Sequence, residues 1–297
     1  MILIDYSPVL ISCAHSAVTW QKKRDKLLEA GKFVSEDEKN TKVEDVHMFR
    51  MLNTLRMVNS MNRRKYGRPI VCVDRKPYWR SEVFPNYKKN RKPMDRTMDW
   101  SMFFDNGEDI LNACRDVFGW KVIDIPGIEA DDSIGVIVHN IRDEDHMIIS
   151  PDGDFKQLQI YKNVSQYDSI HNKKVVEKYP EQWLRFKIIT GDKKDGIPNI
   201  VSDKDTFMTE GMRQTSISSQ NKKSWSAASN PMFFCTGDML ERYKFNEELL
   251  DMSKVPEKQT KQILDELKVP ANKPGNLYGY FASKGISRFI DSLGDFK

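Results

Sequence analysis

At 297 residues, with 39% hydrophobic and 10% aromatic content, the chain is long enough to bury a core in one large domain or two small ones. Its apolar runs fall short of the ~18 residues a membrane span requires. The start MILIDYSPVL lacks a basic region and carries Asp5, so neither a span nor a targeting segment is expected and the reading is cytoplasmic. Cys13, Cys72, Cys114 and Cys235 are far apart with no CxxC pair, which gives no support to a disulfide framework or a zinc site.

A net charge of only +4 hides a sharp segregation. The segment from Arg75 to Arg96, RKPYWRSEVFPNYKKNRKPMDR, carries eight Lys or Arg against Glu82 and Asp95. Carboxylates gather elsewhere, as EADD at 129–132, DGD at 152–154 and GDKKD at 191–195. Separate patches of opposite sign point to two kinds of ligand, cations and a polyanion.

In chain order, MILID and RPIVCVD read as short apolar strands that each end in one aspartate, and WKVIDI and HMIIS read the same way. Residues 21–40 are charged enough for a surface loop or an exposed helix. Residues 44–66 place Phe49, Leu52, Leu55, Val58 and Met61 on one broad helical face, and 105–118 and 130–141 suit crossover helices. The alternation predicts an α/β fold with a mostly parallel central sheet and helices on both faces. Beyond residue 170 the strand signal fades, and helices are expected near 180–190, 239–250, 257–268 and 277–292. Between them TSISSQNKKSWSAASNP, from Thr215 to Pro231, reads as a loop or mobile insertion. The expected division is a core over 1–180 and a helical part over 181–297.

In open parallel sheets, ligands bind beyond the carboxyl ends of the strands. Asp5, Asp74, Glu129, Asp131, Asp152 and Asp154 all fall at or just after predicted strand ends. Carboxylates that converge raise one another's pKa and persist where cations neutralise them. No histidine or cysteine accompanies the clusters, so an all-oxygen site favours Mg²⁺, with Mn²⁺ as a substitute, over Zn²⁺. Two such ions suit phosphodiester hydrolysis, in which a water is activated and a leaving oxygen stabilised. Taken singly, DGD is a common loop, EADD a common helix start and GDKKD a common turn. Only their joint placement with Asp5 and Asp74 points to a metal site.

In the basic segment Tyr78, Trp79, Phe84 and Tyr87 interleave with Arg80, Lys88, Lys89, Arg91 and Lys92, a mixture that suits frayed or single-stranded nucleic acid. Lys88 and Arg80 are the candidate cations for charge developing on a phosphate, and Tyr87 the candidate stacking residue. Two rival readings remain. A phosphatase with Asp5 as nucleophile wants a second acid two residues on, where this chain has Ser7. A non-catalytic junction-binding protein would bind flaps and cut none.

The segments LIDYS, CVDRKPYWRSEVFPNYKKNRK, IPGIEADDSIGVI, ISPDGDFKQLQ and GDKKDGIPNI occur in the order of the 5′ nuclease superfamily. The chain resembles most its bacteriophage RNase H branch, through to the ending LYGYFASKGISRFIDSLGDF. The resemblance implies a PIN-like core and a Mg²⁺-dependent 5′ to 3′ exonuclease and flap endonuclease. Its substrates would be DNA/DNA and RNA/DNA duplexes with 5′ ends or flaps, and its role the removal of RNA primers during replication. By resemblance, Asp5, Asp74, Glu129, Asp131 and Asp152 match an inner metal cluster and Asp154, Asp192 and Asp195 an outer one. Asp132 matches a further acid of the metal motif, one that supports the ligands from behind.

The segment after Asp74 would form an arch supplying Arg80, Tyr87 and Lys88. GDKKDGIPNI would open a helix-three-turn-helix element on the duplex backbone, with Lys193 and Lys194 at the nucleic acid. Asn199 stands where family members often have glycine, and SDKDTFMTEG is not the usual continuation. The resemblance further implies a monomer in the host-cell cytoplasm. A single-stranded DNA-binding protein is a candidate partner for the helical half. The first strand begins at once, without the extra residues by which some phage relatives serve a sliding clamp, so clamp binding is not expected.

Overall fold

The computed structural model describes residues 1–297. Strand β1 (Ile2–Asp5) runs into helix α1 (Tyr6–Glu29), and α2 (Glu36–Asn40) and α3 (Val43–Tyr66) return the chain to β2 (Pro69–Cys72). The basic segment holds the short α4 (Arg80–Val83), after which α5 (Trp100–Asp116) feeds β3 (Lys121–Ile123) and α6 (Ala130–Asn140) feeds β4 (His146–Ile149). A 3₁₀ stretch over Gly153–Ile160 precedes β5 (Val164–Asp168) and β6 (Lys173–Val175). Helices α7 (Pro180–Thr190), α8 (Ser219–Ala227), α9 (Asp238–Leu250), α10 (Glu257–Lys268) and α11 (Leu277–Ser283) follow, with a closing 3₁₀ run over Ser287–Phe296. No helix is long and apolar enough to cross a membrane.

The sheet order is β3-β2-β1-β4-β5-β6, parallel throughout except for β6. The central strands ILID and PIVC are buried along their whole length, as strands covered on both faces must be. Their side chains alternate. Ile2, Ile4, Val71, Val122 and Ile149 meet α1, α3 and α5, while Leu3, Ile70, Cys72, Ile123 and Ile148 meet α6 and α10. The expected α/β architecture is therefore present. All four cysteines are free and buried.

The charged stretch 21–40, read as a surface loop or an exposed helix, is mostly helical: it continues α1 and then forms α2, where Ser35 and Glu38 make a capping box. The structure departs from the sequence reading in two places. The polar stretch 215–231 contains α8, started by the Ser218 side chain, which accepts from Asn221 N at 3.1 Å, and anchored where Trp225 stacks on Phe234 at 5.3 Å. The single helix expected over 277–292 ends at Ser283, where Gly285 takes φ +66° and turns the chain. That turn carries Phe281, Phe289 and Phe296 into the first core, and Trp120 Nε1 donates to Phe296 O at 2.8 Å.

Candidate active site

Chain order along the sheet reverses between β1 and β4, which makes this edge its topological switch point. The register Ile4↔Ile149 sets Asp5 beside Ser150, whose hydroxyl donates to Asp5 Oδ2 at 2.8 Å and accepts from Asp152 N at 3.0 Å. Asp74, two residues past β2, accepts from Ser7 Oγ at 2.6 Å and from Ala130 N at 2.9 Å, so it ties α1 to the start of α6. The position at which the phosphatase rival wants an acid thus serves to orient Asp74. Burial first and the Asp74 charge second push Asp5 well above the usual carboxylate range.

Glu129 caps α6, and Asp132 returns the favour by accepting from Glu129 N at 3.2 Å. Glu129 is buried, yet it accepts from Arg80 Nη1 at 2.7 Å, from Tyr87 at 3.1 Å and from Lys88 Nζ. Burial and then Asp131 lift its pKa to about 7, against Arg80 and Lys88. Asp132, fully buried, accepts from Trp79 Nε1 at 2.9 Å. Its Oδ1 lies 2.7 Å from Arg80 Nη1 but off that donor's hydrogen-bonding direction, and has no hydrogen-bond partner. Asp131 is half-buried at the crevice wall.

The basic segment lies down on the loop after α7. Lys88 N donates to Asp195 O at 2.8 Å, Asn90 Nδ2 donates to Lys193 O at 2.6 Å, and Phe84 and Tyr87 pack with Ile197 and Leu249. Lys88 takes φ +60°, a left-handed turn uncommon for a side-chain-bearing residue, and this aims its ammonium at Glu129 with Tyr78 and Tyr87 rings each 4.9 Å away.

Two expectations are corrected. Arg80 is turned inward by α4, where its Nε donates to Leu249 O at 2.9 Å, and at 3% exposure it is a buried counter-ion rather than a cation facing a phosphate. Tyr87, at 6% exposure, presents no free face for stacking, because its ring fills the apolar cluster and its hydroxyl lies 3.3 Å from Asp195 Oδ2.

On the far side, Asp154 and Asp192 share one cation, Lys187 of α7, at 2.9 and 2.8 Å. Burial and then Asp152 lift Asp154 to about 7. Burial would also raise Asp192, but the Lys187 hydrogen bond and charge hold it below its ordinary value. Asp192 is placed by Gly191, at φ +66°, where any Cβ would lie 2.3 Å from Ile197 O. Asp195 does not share Lys187; it accepts from Arg91 Nε at 3.1 Å on the basic-segment side. Lys89, Lys92, Lys193 and Lys194 are exposed around this mouth.

Acids from five separate segments therefore meet at one switch point. Residues 32–185 match the 5′-3′ exonuclease, N-terminal resolvase-like domain, and residues 179–296 match the T4 RNase H C-terminal domain. The chain belongs to the 5′-3′ exonuclease family. Over 245 residues it is 31% identical to the Ribonuclease H of Enterobacteria phage T4, an alignment covering 78% of this chain and 80% of that one.

Among solved structures, a bacteriophage T5 protein co-crystallised with metal ions superposes with TM-score 0.57 at 18% identity, covering 91% of this chain and 98% of that chain. The bacteriophage T5 flap endonuclease in a pseudo-enzyme-product complex with DNA and metal ions gives 0.54 at 20%, covering 75% and 90%. The fold is shared. As a family member this 5′ nuclease is a hydrolase of phosphodiesters.

The donor set of the nuclease fits a hard divalent cation. Glu129, Asp131 and Asp132 each offer an oxygen, all within 4.8 Å of one another, with no nitrogen or sulfur among them. Sequence reasoning missed Ser7, Ser150 and Lys187. The serines carry no signal of their own, but Lys187 precedes Asp192 by five residues on a predicted helix, and a search for cations beside each acid cluster would have found it.

Proposed function

We propose that the chain is a Mg²⁺-dependent 5′ to 3′ exonuclease and flap endonuclease, with Mn²⁺ able to substitute. It cuts DNA/DNA and RNA/DNA duplexes at 5′ ends or flaps and removes RNA primers during replication. The observation that carries this reading is the convergence of Asp5, Asp74, Glu129, Asp131, Asp152, Asp154, Asp192 and Asp195 at the sheet's switch point, with Lys88 and Lys187 among them. The T4 relative's name and the T5 complex with DNA and metal ions support it.

In this reading Asp5, Asp74, Glu129, Asp131 and Asp152 hold one ion and Asp154, Asp192 and Asp195 the other, with Asp132 supporting from behind. When bound, the ions would supply an activated water and stabilise the leaving oxygen. Lys88 trades Glu129 for a phosphate oxygen, while Arg80 keeps the buried end of the acid cluster compensated. Lys89, Arg91, Lys92, Lys193 and Lys194 neutralise backbone phosphates at the mouth. Residues 1–180 supply most of the chemistry, and 181–297 add Lys187, Asp192 and Asp195 to it and grip the duplex. The protein works in the host cytoplasm, where a single-stranded DNA-binding protein docks on the helical half.

The experiment is cleavage of a nicked duplex and a 5′-flap duplex in Mg²⁺, Mn²⁺ and EDTA, with labels at the 5′ end and inside the strand. Metal-dependent cutting at the 5′ end or flap base is expected. Binding without cutting under every ion would reduce the carboxylates to a structural metal site.

A further inference from the structure

Beside the acid cluster lies a pocket that the chemistry above leaves unused. It has a volume of about 300 Å³ and is lined by Glu177, Tyr179, Gln182, Trp183, Phe186 and Ser226, so α7 forms one wall and α8 closes it. We propose that this pocket is a subsite for one unpaired nucleobase of the strand whose phosphate meets the carboxylates. The proposal rests on the nuclease reading above and names a part of the substrate it grips.

Continuity with the acid cluster is the first argument. A Cβ on Gly153 would stand 3.4 Å from Trp183 Cζ2, and Gly153 separates Asp152 from Asp154. Trp183 is also about one turn before Lys187 on the same face of α7, about 6 Å along the axis. A base lodged against Trp183 therefore belongs to a nucleotide at the carboxylates.

The second argument is the pocket's chemistry. The Trp183 and Phe186 rings lie within 26° of parallel at 6.1 Å, and Tyr179 at the rim is 57% exposed. Half-buried aromatic rings that line a pocket, with a more exposed one at its rim, suit a flat π-system, and stacking tolerates every base. Gln182 in the lining offers both a donor and an acceptor to a base edge. The Lys156 ammonium lies 3.9 Å from the Trp183 ring and pairs with Glu177 at 3.6 Å, so a cation flanks the pocket. The volume is at the lower end of the roughly 300–1,000 Å³ typical of small-molecule sites, which suits one base rather than a peptide.

The test uses the full chain in EDTA with two 5′-flap duplexes. One is unmodified, and the other has an abasic unit as the unpaired nucleotide adjoining the scissile phosphate. Wild type is expected to bind the abasic duplex on the order of tenfold more weakly, the loss of one stacked base. Trp183→Ala should bind both alike, and Tyr179→Ala, altered only at the exposed rim, should narrow the same gap. Equal wild-type affinity for the two duplexes overturns the subsite. Cutting of the unmodified duplex in Mg²⁺ by that same protein would then leave the nuclease reading standing. If no duplex is bound or cut, both readings fall.

Discussion

Arg80 Nη1 sits 2.7 Å from Glu129 Oε2, with the two side chains only 3% and 1% exposed. Removing one partner of such a pair strands the other charge in the interior, at a cost of about 3–5 kcal/mol. Arg80→Met should therefore lower the thermal midpoint by more than about 6 °C in calorimetry with EDTA present. A midpoint equal to wild type would contradict the interior role assigned to this arginine.

Stability should fall with rising pH when divalent ions are withheld. Asp154 titrates near 7 in the fold, because of burial and Asp152, against 3.8 for an ordinary aspartate. Glu129, lifted to about 7 by burial and Asp131, acts in the same direction. Between the two values the native chain holds more protons than the unfolded one. The stability linked to these groups is thus whole below about pH 4 and lost as pH rises through 7. Thermal scans at pH 5.5 and pH 8 should show Mg²⁺ raising the midpoint more at the higher pH. Equal Mg²⁺ shifts at both would refute the linkage.

Lys88→Ala should slow single-turnover cleavage on the order of 10² to 10³-fold, because it deletes the one ammonium aimed into the acid cluster from the basic segment. Flap binding, measured in parallel by anisotropy, should change far less. An unchanged cleavage rate would remove Lys88 from the chemistry.

Lys187→Met leaves Asp154 and Asp192 facing each other without a shared cation. The variant is expected to be less stable than wild type in EDTA, with the deficit narrowing when Mg²⁺ is added. A deficit indifferent to Mg²⁺ would show that the lysine serves packing alone.

Asp131→Asn keeps shape and removes charge from the half-buried acid at the crevice wall. Cutting should be lost while flap binding persists. Substantial cleavage by this variant would move the inner metal site elsewhere.

The strands and the acids were legible because both depend on local patterns. ILID and PIVC are apolar runs with a polar break, and an aspartate at such a break lands at the sheet edge wherever the chain goes next. Arg80 and Tyr87 were misjudged because their surroundings come from far away. Leu249, 169 residues on, accepts from Arg80 Nε, and Ile197 packs against Tyr87. Charge and aromaticity read along a segment say which side chains prefer water or stacking, not which of them a distant helix will cover. Helix α8 escaped for the opposite reason, since one serine cap and one tryptophan outweigh a composition that otherwise reads as loop.

The first core is finished by its last contributors in sequence. Phe281, Phe289 and Phe296 fill the space against Phe118 and Trp120, and Asn59 and Arg63 of α3 bind the backbone of residues 294–297. During synthesis the amino-terminal half must therefore wait on the ribosome with its aromatic face bare until those residues emerge.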